Sequence, residues 1–137
     1  VSSPAGACEP ETNRRLVIDH FNEFVNNKDL GAIDRNMSAD FYDHDGPGGK
    51  PTDREGDRTM MAALHASIPD LHVEVLESLA EGDKVMVRNV WTGTDARTGK
   101  RVGFRGFVLW RVADGKIVER WATVTPIQEL ADVTARW

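Results

Sequence analysis

Asp114-Gly115-Lys116-Ile117-Val118-Glu119-Arg120-Trp121-Ala122-Thr123-Val124 reads as a tight turn followed by a strand. Asp-Gly tolerates the backbone angles of a two-residue hairpin loop, so the apolar run at residues 102–112 becomes the partner of the strand at 116–124. Two further runs with the same extended period, residues 71–80 and 84–94, are joined by Glu81-Gly82-Asp83, another tight-turn signal. The connection at residues 95–100 is longer and contains Gly99. The second half of the chain therefore predicts an antiparallel meander of four strands.

Upstream the period is helical. Leu16, Val17, His20, Phe21, Phe24 and Val25 form one stripe, which predicts an amphipathic helix over residues 12–26. Asn26-Asn27-Lys28-Asp29 breaks it, and a short second helix is expected over residues 30–37 with Leu30, Ile33 and Met37 inward. Residues 43–51 are rich in Gly and Pro and predict a loop. Thr52 followed three residues later by Glu55 predicts a capping box opening a third helix, whose face is Met60, Met61, Leu64 and Ile68. Helices first and strands afterwards define an α+β class, with N-terminal helices packed on a curved antiparallel sheet of four strands or more.

A chain of 137 residues suits one domain, expected over residues 12–137, with residues 1–11 as a flexible tail. Hydrophobic residues at 40% and charged residues at 28% suit a globular chain, and no apolar run approaches the roughly 20 residues that cross a bilayer. A membrane role is not expected. The net charge of −5 argues against a surface that tracks nucleic-acid phosphates. Cys8 is the only cysteine, which excludes an intrachain disulfide, and the leader lacks the charged and apolar regions of a signal peptide. The cytoplasm is the expected compartment. No Gly-rich phosphate loop or zinc-spaced Cys/His pattern is present, so neither a cofactor nor a metal site is expected.

Strict alternation from the Asp114-Gly115 turn puts Arg105, Phe107, Leu109, Arg120, Ala122 and Val124 on one face, with Arg88 joining them from the preceding strand. Phe104, Val108, Trp110, Val112 and Trp121 fall on the other. Both faces are apolar, so both need a cover. Helices supply one; the other is expected to be a partner subunit in a homodimer, or alternatively the C-terminal segment 126–137. The arginines on the helix side have two readings. They pair with Asp40, Asp43, Asp45 or Glu119 at the rim, or they orient an anionic ligand in an apolar cavity. His44 beside Asp45 is a candidate general base at the cavity mouth. Met37, Tyr42, Met60, Leu64 and His65 are candidate lining residues, with Arg88, Phe107, Leu109 and Ala122 from the sheet.

Phe41-Tyr42-Asp43-His44-Asp45, Ile68-Pro69-Asp70-Leu71-His72-Val73-Glu74-Val75, Glu81-Gly82-Asp83-Lys84-Val85, Trp91-Thr92-Gly93-Thr94 and Asp114-Gly115-Lys116-Ile117-Val118-Glu119-Arg120-Trp121 resemble the SnoaL-like polyketide cyclases. These belong to the cone-shaped α+β barrels of the nuclear transport factor two and ketosteroid isomerase superfamily. The resemblance covers residues 12–130 and implies a cofactor-free enzyme acting on an anthracycline-type aromatic polyketide. In the cyclases an aspartate of the last strand is the acid/base, with a histidine of the preceding strand nearby. This sequence has Ala122 at the first place, Arg105 about at the second, and Thr125 beyond. Relatives of similar fold that hydroxylate anthracycline intermediates lack that acid. The resemblance with these departures implies a cofactor-independent hydroxylase using His44, Asp45, Arg105 and Arg120. The alternatives are an aldol cyclase with Asp45 or His44 as base, and a noncatalytic ligand-binding or dimerisation module.

Overall fold

The computed structural model describes residues 4–135 and 137. Helix α1, Pro4–His20, runs directly into a π-helical turn, Phe21–Asn26. It starts earlier than the apolar stripe requires, in the stretch whose composition suggested a tail. The wider π turn directs Phe21, Phe24 and Val25 into the core. Asn26 then locks the end of this turn to the sheet, its amide donating to Val73 O at 3.1 Å and accepting from Val73 N at 2.8 Å.

Helix α2 is shorter than expected, Ala32–Asn36, because the chain straightens into strand β1, Met37–Asp43. This strand was not legible as one. It is seven residues long and mixes Ser38, Ala39 and Asp40 among its apolar positions, so no clean alternation announces it. Helix α3, Arg54–Ser67, is capped by Asp53, which accepts from Gly56 N at 2.9 Å. Thr52, the expected cap, instead pairs its backbone with Asp43 in both directions at 2.9 Å.

The meander follows as expected: β2 His72–Glu81, β3 Lys84–Thr94, β4 Arg101–Ala113 and β5 Lys116–Val124. Asp114 and Gly115 both take positive φ, 52° and 75°, the left-handed pair that suits a tight hairpin. Short β6, Gln128–Glu129, pairs with β4 and leads into α4, Leu130–Thr134. Sheet order is β1-β5-β4-β3-β2, with β1 parallel to β5 and every other pair antiparallel. The fold is α+β, a curved mixed sheet that is not closed, with α1, its π turn and α3 on its concave side.

One irregularity governs the faces. Val112 pairs with Ile117, but Arg111 pairs with Glu119, so Val118 is an extra residue in β5. Beyond this bulge each opposed pair is offset by one from strict alternation: Trp110 faces Arg120 and Val108 faces Ala122. The concave face therefore carries Phe104, Val108, Trp110, Arg120 and Ala122. Arg105, Phe107, Leu109 and Trp121 lie on the convex face with Arg88, which opposes Phe107 across β3 and β4. The expected inward set is corrected accordingly, with Arg120, Ala122 and Val124 remaining inside.

The convex face is covered in part by the C-terminal segment. Val133 of α4 is fully buried, and Arg105 Nη1 donates to Val133 O at 2.8 Å. Trp137 is clasped by the guanidinium groups of Arg105 and Arg88, 4.7 and 5.1 Å from its ring centroid. Among the described residues no helix is long and apolar enough to cross a membrane.

Candidate active site

A cavity of about 710 Å³ lies between α1, its π turn, α3 and the concave sheet. Met37, Met60, Met61, Leu64, Phe24 and Phe104 give it apolar walls, large enough for a polycyclic ligand. Its charged groups come from three elements: Asp57 from α3, Arg120 from β5, and Asp45 from the loop after β1.

Alternation at the end of β1 explains how adjacent residues part company. Asp43 opposes Arg120 and points inward; it is fully buried. Arg120 Nη1 donates to both its oxygens, at 3.0 and 2.8 Å, and to Asp45 O at 3.2 Å. Of the rim partners considered for the arginines, Asp43 is thus the one that takes Arg120. The guanidinium also lies 5.5 Å over the ring of Trp110. Asp45 turns inward as well, its Oδ2 accepting the Ala122 N–H at 2.8 Å. Position 122 has no carboxylate of its own, and its methyl group leaves room for the one delivered from the loop after β1.

Asp57 is nearly buried, and its Oδ1 has no hydrogen-bond partner among the described residues. Loss of hydration on burial raises its pKa first, the adjoining Asp43 carboxylate next, and Arg120 opposes them; the result is a carboxyl pushed up to about 8. At neutral pH it keeps its proton. Asp43 beside it is held by the Arg120 guanidinium at 2.8 Å.

His20 also stands in the wall and is buried. Burial lowers its pKa to about 4; Glu23 opposes the shift and the Arg120 charge adds to it. It is a neutral imidazole near pH 7.

The other sequence candidates lie elsewhere. His44 is on the convex side, its Nε2 2.6 Å from Glu119 Oε2 and its ring stacked on Trp121 at 4.7 Å. Arg111 holds the other Glu119 oxygen at 2.7 Å, and Tyr42, half exposed, packs edge-on against His44. His65 donates to Val25 O at 3.0 Å and ties α3 to the π turn. Arg88 pairs with Glu77 at 2.7 Å, and Phe107 packs edge-on against Trp137. Leu109 lies on the same convex face, opposite Trp121. None of these side chains lines the cavity, whereas Met37, Asp45, Met60, Leu64, Arg120 and Ala122 do.

Sequence reasoning passed over Asp57, although a signal was present. Positions 57, 61, 64 and 68 share one helical stripe, and an acid on the apolar face of an amphipathic helix is costly unless used.

Helices on a curved sheet, enclosing an apolar cavity with acidic groups in its wall, define an α+β cone fold. The sequence profile of the SnoaL-like polyketide cyclases matches residues 15–131, and the chain belongs to that family. No curated protein sequence matches it. Among solved structures it is similar to AclR, a candidate hydroxylase from Streptomyces galilaeus, at 25% identity and TM-score 0.76 over 85% of this chain and 80% of that one. It is similar to a candidate polyketide cyclase from Bacillus cereus at 30% identity and TM-score 0.69, covering 77% and 69%. It is likewise similar to IdmH, a candidate polyketide cyclase from Streptomyces antibioticus, at 29% identity and TM-score 0.71, covering 78% and 88%.

Proposed function

We propose that the protein tailors an aromatic polyketide by closing a ring through an intramolecular aldol reaction, with Asp45 as base and Asp57 as acid. The carrying observation is the bond from Ala122 N to Asp45 Oδ2, which sets a carboxylate beside the residue where the family's acid is expected, in a cavity that also holds a protonated carboxyl. Two carboxyl groups in contrasting environments are the arrangement that divides acid from base. Asp45 takes the proton from a carbon flanked by carbonyl groups. The resulting enolate attacks a ketone of the same molecule, a carbon–carbon bond forms, and the alkoxide takes its proton from Asp57. Solvent returns both groups to their starting state, so the product is an isomer of the substrate. The apolar walls exclude water from the enolate, and burial together with the adjoining Asp43 carboxylate keeps the Asp57 proton in place.

The test is turnover of a tricyclic anthraquinone carrying a β-keto ester side chain. Asp45→Asn and Asp57→Asn should each reduce kcat by about two to four orders of magnitude. Arg105→Ala, on the convex face, should change it little. Full activity in either aspartate variant would sink this assignment.

A second reading, cofactor-independent hydroxylation, is favoured by the likeness to AclR and by Ala122 in the last strand. In it the cavity binds the reduced, hydroquinone form of a hydroxyanthraquinone, which reacts with dioxygen: one oxygen atom enters the ring, the other leaves as water, and oxidation of the hydroquinone to the quinone supplies the two electrons. It requires oxygen consumption, which ring closure does not.

A further inference from the structure

We propose that His20 is a neutral N–H donor that binds the substrate oxygen on which negative charge develops, and that Asn36 and Glu23 are the positioning residues that hold it in the donating tautomer. The inference deepens the ring-closure reading and rests on it for the presence of an oxygenated polycycle in the cavity.

The tautomer follows from three distances. Asn36 Nδ2 lies 3.0 Å from Glu23 Oε1 and 3.0 Å from His20 Nδ1. A carboxylate only accepts, so the group facing Glu23 is the amide NH₂ and the same nitrogen faces the imidazole. His20 Nδ1 is then the acceptor, and the ring proton resides on Nε2. The Asn36 amide first, and then Arg35, 3.1 Å from the same Glu23 oxygen, hold Glu23 below the usual carboxylate range against the effect of burial, so this end of the relay stays anionic.

His20 Nε2–H has no acceptor among the described residues, and neither has Nε1–H of Trp110, whose ring packs edge-on against the imidazole at 6.1 Å. Both side chains line the cavity. A buried donor without a partner is costly, and each is satisfied by an acceptor-only oxygen such as a ketone, quinone or enolate. Burial keeps the imidazole neutral, so it donates without giving up its proton, as stabilisation of an enolate requires. A hydrocarbon ring without oxygen gains nothing from these donors.

The test uses the full chain with 9-fluorenone, a tricyclic ketone, and fluorene, its carbonyl-free counterpart, with affinities measured by equilibrium dialysis. The wild type should prefer fluorenone by about tenfold, the worth of one or two buried hydrogen bonds. His20→Phe should lose the preference while retaining fluorene affinity, and His20→Gln, which restores an N–H, should recover part of it. Proton–nitrogen correlation spectra of the imidazole should show the Nε2–H tautomer in wild type, with fluorenone shifting that resonance, and a mixture of tautomers in Asn36→Leu. An Nδ1–H tautomer in wild type, or an undiminished ketone preference in His20→Phe, overturns the proposal. Neither readout requires turnover. An inactive protein that passes both removes the ring-closure reading and leaves this one; an active protein that fails them does the reverse.

Discussion

At the scale of single residues the site turns on Asp57. Its protonated form is the working acid, so kcat/KM should fall as pH rises through about 8, and Asp57→Asn should lack that descending limb. The same group leaves a mark on stability. Its folded pKa lies above the unfolded value, so its contribution is full below about 4 and is lost as pH rises through 8. His20 has the opposite sign: its depressed pKa gives stability present above 6.5 and lost as pH falls toward 4. Between 4 and 6.5 the two slopes oppose each other; from 6.5 to 8 only Asp57 acts, and stability should drop by about 2 kcal/mol. Urea titrations across this range should show the drop in wild type and its absence in Asp57→Asn. Sequence reading reached Asp45 and Arg120 because their neighbours mark them as inward or cleft-facing. It missed Asp57, whose apolar stripe masked one acid, and it placed His44 in the site because adjacency in sequence hid that Asp45 and His44, just past the end of β1, turn to opposite sides of the sheet.

At the scale of elements, the four strands and the α3 core helix were legible because each carries an unbroken period bounded by turn residues. The faces of β4 and β5 beyond their hairpin were not. The Val118 bulge is set by local pairing rather than by any residue pattern, and it moves Arg120 and Ala122 to the face that carries Trp110 and Val108. It also brings Arg120 to Asp43. Deleting Val118 should turn the Arg120 side chain outward and leave Asp43 buried without its cation, a loss of about 3–5 kcal/mol. A stability within about 1 kcal/mol of wild type by denaturant titration would show that the bulge does not set the ion pair. Gly93 fixes a second element contact: a Cβ there would lie 2.2 Å from Ile68 Cγ2, at the end of α3. Gly93→Ala should lower stability by about 1–3 kcal/mol, read by the same titration.

At the scale of the whole molecule, the chain is a cone with two differently used faces. The concave face and helices form the cavity; the convex face is shared between α4 with Trp137 and a remaining patch that exposes Leu79, Met86 and Phe107. The expected second cover is thus met in part by the C-terminal segment, the alternative weighed from sequence. A homodimer through the remaining patch stays a proposal. Sedimentation equilibrium should give a dimer that Phe107→Glu dissociates, and a monomeric wild type would assign the whole convex face to the C-terminal segment. The functional claim belongs to this scale too, because it concerns what the cavity does to a complete substrate. Its most direct test is incubation of the purified protein with the tricyclic β-keto ester under strictly anaerobic conditions, with products followed by mass spectrometry. Ring closure predicts a new species of unchanged mass, formed equally fast with or without oxygen; a product heavier by one oxygen atom, formed only in air, would contradict it.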